Sequence, residues 1–206
     1  IGLFKEWFLK KLLKIQLNKS DEDLLDKAFS IIIKSALQQS QVVVHRDFHS
    51  RNLMKLSDGS IGVIDFQDAV IGPLTYDVVS LFRDCYIRLP KDFVLQRTLR
   101  FYKRAVDLGI ATEASDEKVI GWLDMMGLQR HLKVLGIFSR LHLRDRKHSY
   151  LNDLPLVVRY VMEELEPYPN LKDFSQWFEC KVLSELPRKF WYKSWETAGE
   201  VREEHN

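Results

Sequence analysis

The chain has 206 residues and 46% apolar content, enough for one ordinary domain with its own core. Lys and Arg total 31 against 29 Asp and Glu, and a net charge of +2 argues against nucleic acid as a partner, which calls for a strongly basic face. No apolar run approaches the ~20 residues that span a bilayer, no signal peptide is visible, and Cys85 and Cys180 show no pairing or metal pattern, so buried thiols in a cytoplasmic protein with no membrane partner are expected.

Residues 3–15 predict an amphipathic helix, with Leu3, Phe4, Trp7, Phe8, Leu12 and Ile15 at helical spacing and Lys5, Lys10, Lys11 and Lys14 among them. Such a helix could lie on a membrane surface. The plainer reading packs it on the core with its lysines in water. Ser20 reads as the N-cap of the next helix, with Asp21, Glu22 and Asp23 in its first turn. Leu24, Leu25, Ala28, Phe29, Ile32, Ile33 and Leu37 give that helix one apolar face, and it should end near Gln39, before a strand at Val42–Val44.

The most specific stretch follows. His45-Arg46-Asp47 leads through Phe48, His49, Ser50 and Arg51 to Asn52, and Asp65-Phe66 closes an apolar run thirteen residues later. This spacing is that of a phosphoryl-transfer loop and its metal aspartate. Asp47 would accept or orient the proton of a substrate hydroxyl. Asn52 and Asp65 would offer hard oxygens to Mg²⁺. Leu53–Leu56 and Ser60–Ile64 predict a hairpin turned at Ser57-Asp58-Gly59, which would return Asp65 to Asn52. Singly, each of these residues could merely cap a turn. Together, at these spacings, they point to chemistry.

After Asp65, Gly72-Pro73 predicts a turn, and a helix should begin near Leu74, with Asp77 ahead of apolar Val78, Val79, Leu81 and Phe82. Residues 91–108 predict a core-packing helix stopped by Gly109. Ser115 should start a long helix toward Leu143 that buries Trp122, Met125, Met126, Leu132, Leu135 and Phe138. Basic residues from Arg140 to His148 read as a solvated face. A helix from Asp153-Leu154-Pro155 to about Leu165 precedes an aromatic tail with Phe190, Trp191, Tyr192 and Trp195, then the charged stretch Glu200–Glu204. The tail either packs on the domain or presents a contact surface.

These motifs resemble the aminoglycoside phosphotransferase and choline kinase-like branch of the protein-kinase-like fold. The similarity runs from about Phe4 to Leu165. The stretches His45–Met54, Ile64–Asp77 and Leu128–Leu141 most resemble bacterial kinases acting on the anomeric hydroxyl of N-acetylmuramate and N-acetylglucosamine, with Gln129–Phe138 narrowing the likeness. The resemblance implies an α+β, mainly α fold, a protein-kinase-like C-terminal lobe over residues 1–187 with a small active-site β-hairpin, and a tail over 188–206. It implies ATP as co-substrate, Mg²⁺, and a small-molecule substrate in cell-wall recycling. Met54 and Ile64 would lie near the adenine. Arg130 and His131, with Glu6 and Trp7, would meet the acceptor, Arg130 offering its fork to the lactyl carboxylate. His45 and Asp77 would support the loop, Asp77 by accepting its backbone N–H groups. The pattern departs from protein kinases at His49, where Lys is usual, and at Gln67, where Gly is usual; no A-P-E follows. No Gly-rich loop or strand lysine precedes His45, so the chain, starting at Ile1, reads as lacking an N-terminal nucleotide lobe and as inactive alone. An aminoglycoside or choline kinase, or a binding module without catalysis, are the alternatives.

Overall fold

The computed structural model describes residues 2–200, so the end of the charged tail, 201–204, lies outside the described residues. The fold is 61% helical with small antiparallel sheets, as an α+β kinase-like lobe requires. The chain forms two compact units, one of Ile1–Ala28 with His131–Asn206, the other of Phe29–Arg130. We call them the terminal unit and the central unit.

The terminal unit opens with a helix at Phe4–Leu13 that is π-wound rather than the expected α-helix. Its i→i+5 hydrogen bonding moves the buried set to Phe4, Phe8, Leu9 and Leu13, so Leu9 and Leu13 face inward in place of Leu12. Lys14, left-handed at φ 63°, ends it by donating its N–H to the Leu9 carbonyl. Helix α1 (Lys19–Leu37) starts one residue ahead of Ser20. Its cap is Asn18, which accepts the Asp21 N–H at 2.9 Å while Asp21 accepts the Asn18 N–H at 3.0 Å, a reciprocal box that Ser20 stands inside. The indole of Trp177 donates to the same Asp21 carboxylate at 2.7 Å. Helices α5 (Leu154–Leu165) and α6 (Lys172–Phe178) complete this core, and Phe4, Phe174 and Phe178 share ring contacts within it. The tail is anchored here: Trp191 is buried, and Arg159 donates to the Ala198 carbonyl, while Phe190 is exposed. Cys180 is exposed, contrary to expectation, because it falls on the outer side of the short π-turn after α6; Cys85 is buried.

The central unit carries the strands. β1 (Gln41–Val44) pairs antiparallel with β4 (Val70–Pro73), where a turn was expected. The β-branched Val70 and Ile71 supply strand character. Gly72 is needed there, since a Cβ would come within 2.8 Å of Val44 Cγ2. The predicted hairpin forms from β2 (Leu53–Lys55) and β3 (Ile61–Val63), with Gly59 at φ 83° in its turn. Helices α2 (Tyr76–Phe82) and α3 (Lys91–Asp107) follow, then α4 (Asp116–Leu143), whose early turns belong to this unit. Val44, Tyr76, Val79, Val94, Leu123 and Met126 pack into one cluster, while Tyr102, Val119 and Trp122 lie in another. Phe93 and Phe101, expected in the core, stand partly in solvent on α3.

Candidate active site

The loop between β1 and β2 is built against α2. Asp77, in the first turn of that helix, accepts the His45 N–H at 2.6 Å and the Arg46 N–H at 3.0 Å. Both amides can reach one carboxylate because Arg46 is left-handed, at φ 76°. A non-glycine residue held there costs on the order of 1–3 kcal/mol, so the surroundings must impose it. The next residue, Asp47, is half-buried, and its carbonyl accepts from Asn52 Nδ2 at 2.9 Å.

The hairpin then brings Asn52 and Asp65 together. The Ile64 N–H donates to the Asn52 carbonyl at 3.1 Å, and Asn52 Nδ2 lies 3.5 Å from Asp65 Oδ2. Asp65 is a second left-handed residue, at φ 68°, and its other oxygen accepts from Gln67 Nε2. His45 Nε2 sits 3.0 Å from the Ile64 carbonyl. Met54 and Ile64 are 52% and 44% exposed on the hairpin, open to a ligand. Val43, His45, Phe48, Phe66, Ala69 and Asp77 line a cavity of about 400 Å³ beside the loop.

Other expected acceptor residues are placed differently. Arg130 is 3% exposed, donates from Nη1 to the Arg46 carbonyl at 3.1 Å, and lies over the Tyr76 ring; it is not an open fork for a carboxylate. His131 is fully buried, with Nδ1 2.9 Å from Glu164 Oε2 and its ring stacked on Tyr160, so it is sealed from any solvent-borne ligand. Glu6 is exposed and bonded to Lys11, which holds its carboxyl below the usual range. The same Lys11 ammonium covers one face of the Trp7 ring, 3.7 Å from its centroid.

One anchor escaped the sequence reading. Asp84, just past α2 and 1% exposed, accepts the Ser50 N–H at 2.8 Å and the Tyr86 N–H at 3.0 Å. Its signal was an acid seven residues after Asp77, at the far end of the same apolar helix. His49 is half-buried beside these groups. Burial first, then the Arg130 charge, hold its imidazole below the ordinary range, which favours the neutral form.

The chain was compared with known proteins. The phosphotransferase enzyme family model, APH, matches residues 3–113. N-acetylmuramate/N-acetylglucosamine kinase of Neisseria meningitidis serogroup B is 40% identical over 171 residues, covering 83% of this chain and 51% of that protein. The proteins of the same name from Pseudomonas aeruginosa and Pseudomonas putida are 39% and 38% identical, over 91% and 85% of this chain and 54% and 52% of their own. The chain thus spans about half the length of the curated relatives it matches. With the H-R-D loop, the hairpin and the paired Asn52 and Asp65 in place, the chain belongs to the APH phosphotransferase enzyme family.

Proposed function

We propose that the whole protein is a kinase that phosphorylates the anomeric hydroxyl of N-acetylmuramate or N-acetylglucosamine, in the cytoplasm, for cell-wall recycling. The observation that carries the kinase part is the convergence of Asp47, Asn52 and Asp65 on one strained loop and hairpin. The names of the relatives carry the acceptor.

Asp47 orients the acceptor hydroxyl and takes its proton. The Asn52 amide stands beside the Asp65 carboxylate, its Nδ2 3.5 Å from Oδ2, and the oxygens of both groups are hard donors. Two protein ligands, with phosphates and water for the rest, suit Mg²⁺. Asn52 and Asp65 would hold the ion, which would supply positive charge opposite the transferring phosphoryl group. Met54 and Ile64 offer apolar surface to the adenine of ATP. We assign the phosphate-covering loop and lysine to an N-terminal lobe of the same protein. Arg130 and His131, buried and bonded within the protein, leave the sugar to other groups.

The test offers the whole protein labelled ATP with N-acetylmuramate, N-acetylglucosamine, choline or an aminoglycoside. Both sugars should be phosphorylated. Asp47→Asn should cut turnover by about 10²–10⁴-fold with nucleotide affinity nearly unchanged. Turnover of choline or an aminoglycoside instead would end the amino-sugar assignment; near-normal turnover by Asp47→Asn would end the role of Asp47.

A further inference from the structure

The candidate loop is held from both ends of a single helix. Asp77 lies in the first turn of α2 and Asp84 just beyond its last, seven residues apart. Each acid has an aromatic neighbour that receives a cation: Tyr76 lies under Arg130, and Tyr86 lies 3.4 Å under Arg51. The two ends act on different atoms. At the front, Asp77 binds the N–H of the strained Arg46 and Arg130 binds its carbonyl, so both flanking peptide planes are fixed. At the back, Asp84 binds the amide of Ser50, the first residue of the 3₁₀ turn that delivers Asn52.

We propose that Arg130 and Asp84 are positioning residues: together with Asp77 they hold the Arg46 carbonyl and the Ser50 amide, and so set the directions in which Asp47 and Asn52 point. The guanidinium, taken at first as a ligand for substrate, acts instead through the backbone. A left-handed Arg46 needs such support, because released it would relax toward the common backbone regions and turn the following peptide, and Asp47 with it. Burying a charged fork on a backbone carbonyl is costly unless its geometry is needed, and the adjacent Tyr76 face offsets part of that cost. The effect on turnover rests on the kinase reading above; the clamp itself does not.

Two readouts separate these. In the whole protein, Arg130→Met removes the donor and keeps most of the stem, Arg130→Lys keeps a cation and N–H donors, and Asp84→Asn removes the charge and one acceptor. Turnover should fall about a hundredfold in Arg130→Met and Asp84→Asn, with KM for ATP and for sugar little changed, as for a misplaced but present catalytic group. Arg130→Lys should recover part of the loss. Amide hydrogen exchange should speed at His45 and Arg46 in Arg130→Met, and at Ser50 and Tyr86 in Asp84→Asn, with α3 and α5 unchanged. Unchanged exchange at these amides would overturn the clamp, as would exchange rising evenly through the protein. A loss confined to the KM of one acceptor would overturn it too, returning Arg130 to the substrate. If the unsubstituted protein phosphorylates nothing, the kinase reading falls, and the exchange rates still decide the clamp.

Discussion

The two units of this chain treat their apolar and strained residues in opposite ways. In the terminal unit the four bulkiest fully buried side chains, Phe4, Phe8, Phe174 and Phe178, form its core. Its left-handed non-glycine residues, Lys14 and Arg146, each sit just past the end of a helix, where such geometry is ordinary. In the central unit the left-handed non-glycine residues are Arg46 and Asp65, inside the candidate site. Among the described residues, every exposed large apolar side chain except Leu143 and Phe190 also belongs to the central unit, and Leu37, Val43, Phe66, Ile71 and Ile61 lead them. One unit gathers a core of packed aromatic rings and the other holds the candidate site, so substitutions in each should be read by different instruments.

The largest contrast is expected at the metal pair. Asp65→Asn keeps a side chain that tolerates the left-handed backbone but removes the carboxylate charge. Turnover should fall below detection, and the Mg²⁺ concentration that half-restores any residual activity should rise. Asn52→Ala should act in the same sense less severely, since it removes a dipole rather than a charge. Thermal unfolding of both should stay close to the parent, because Asp65 is exposed and Asn52 half-buried. Magnesium titrations that superimpose on the parent for both variants would remove these residues from the metal site.

The sequence exposed the reactive part of this contrast better than the supporting part. The hairpin was legible because two short strand-like runs, the second rich in β-branched residues, flank Ser57-Asp58-Gly59, a local code needing no distant partner. The π-winding at Phe4–Leu13 was not, because positions 4, 8 and 12 fit an α-helix as well as 4, 8, 9 and 13 fit the observed one. The N-cap falls two residues before the expected Ser20, since Asn18 and Ser20 are equally good caps in isolation and the choice is fixed by Asp21 and distant Trp177. Strand β4 was hidden behind Gly72-Pro73, whose meaning depends on Val44 across the sheet. Arg130 and Asp84 failed for one shared reason: charged residues are usually at the surface, and only tertiary burial shows that these two are aimed at backbone.

The terminal unit should fail by stability alone. Gly136, on α4, lies against the backbone at the start of the π-helix, where an added Cβ would stand 2.4 Å from the Leu3 carbonyl carbon and 2.7 Å from the Phe4 nitrogen. Backbone on both sides leaves little to yield. Gly136→Ala should cost about 1–3 kcal/mol, an overpacking effect. For a chain of this size that lowers the melting midpoint by roughly 2–4 °C per kcal/mol. Turnover per folded molecule, measured well below the transition, should be retained. An unchanged midpoint would mean that the π-helix slides away without loss, and that its close approach to Gly136 is not needed.

The smallest expected effect is a test of whether the polar couplings of the terminal unit reach beyond stability. His142, near the end of α4, has its Nδ1 2.8 Å from the Nδ1 of His148, so one ring donates and the other accepts. Burial first, then the neighbouring His148, hold the His142 imidazole below its ordinary value. Such a group binds its proton less readily folded than unfolded. Below the unfolded value of about 6.5 the unfolded chain therefore takes up more protons, and stability falls as pH drops. At neutral pH, where both forms are unprotonated, this contribution is fully present. His148→Ala removes the second cause and leaves the first. The stability of the variant relative to the parent should thus improve as pH falls from 7.5 to 5.5, by well under ~1 kcal/mol, as suits partly exposed groups. Urea unfolding at several pH values measures it. Parallel curves for parent and variant would show that the two imidazoles do not share a proton in solution. A changed pH profile of turnover would show more: that the terminal unit, contrary to the division drawn above, also feeds the chemistry.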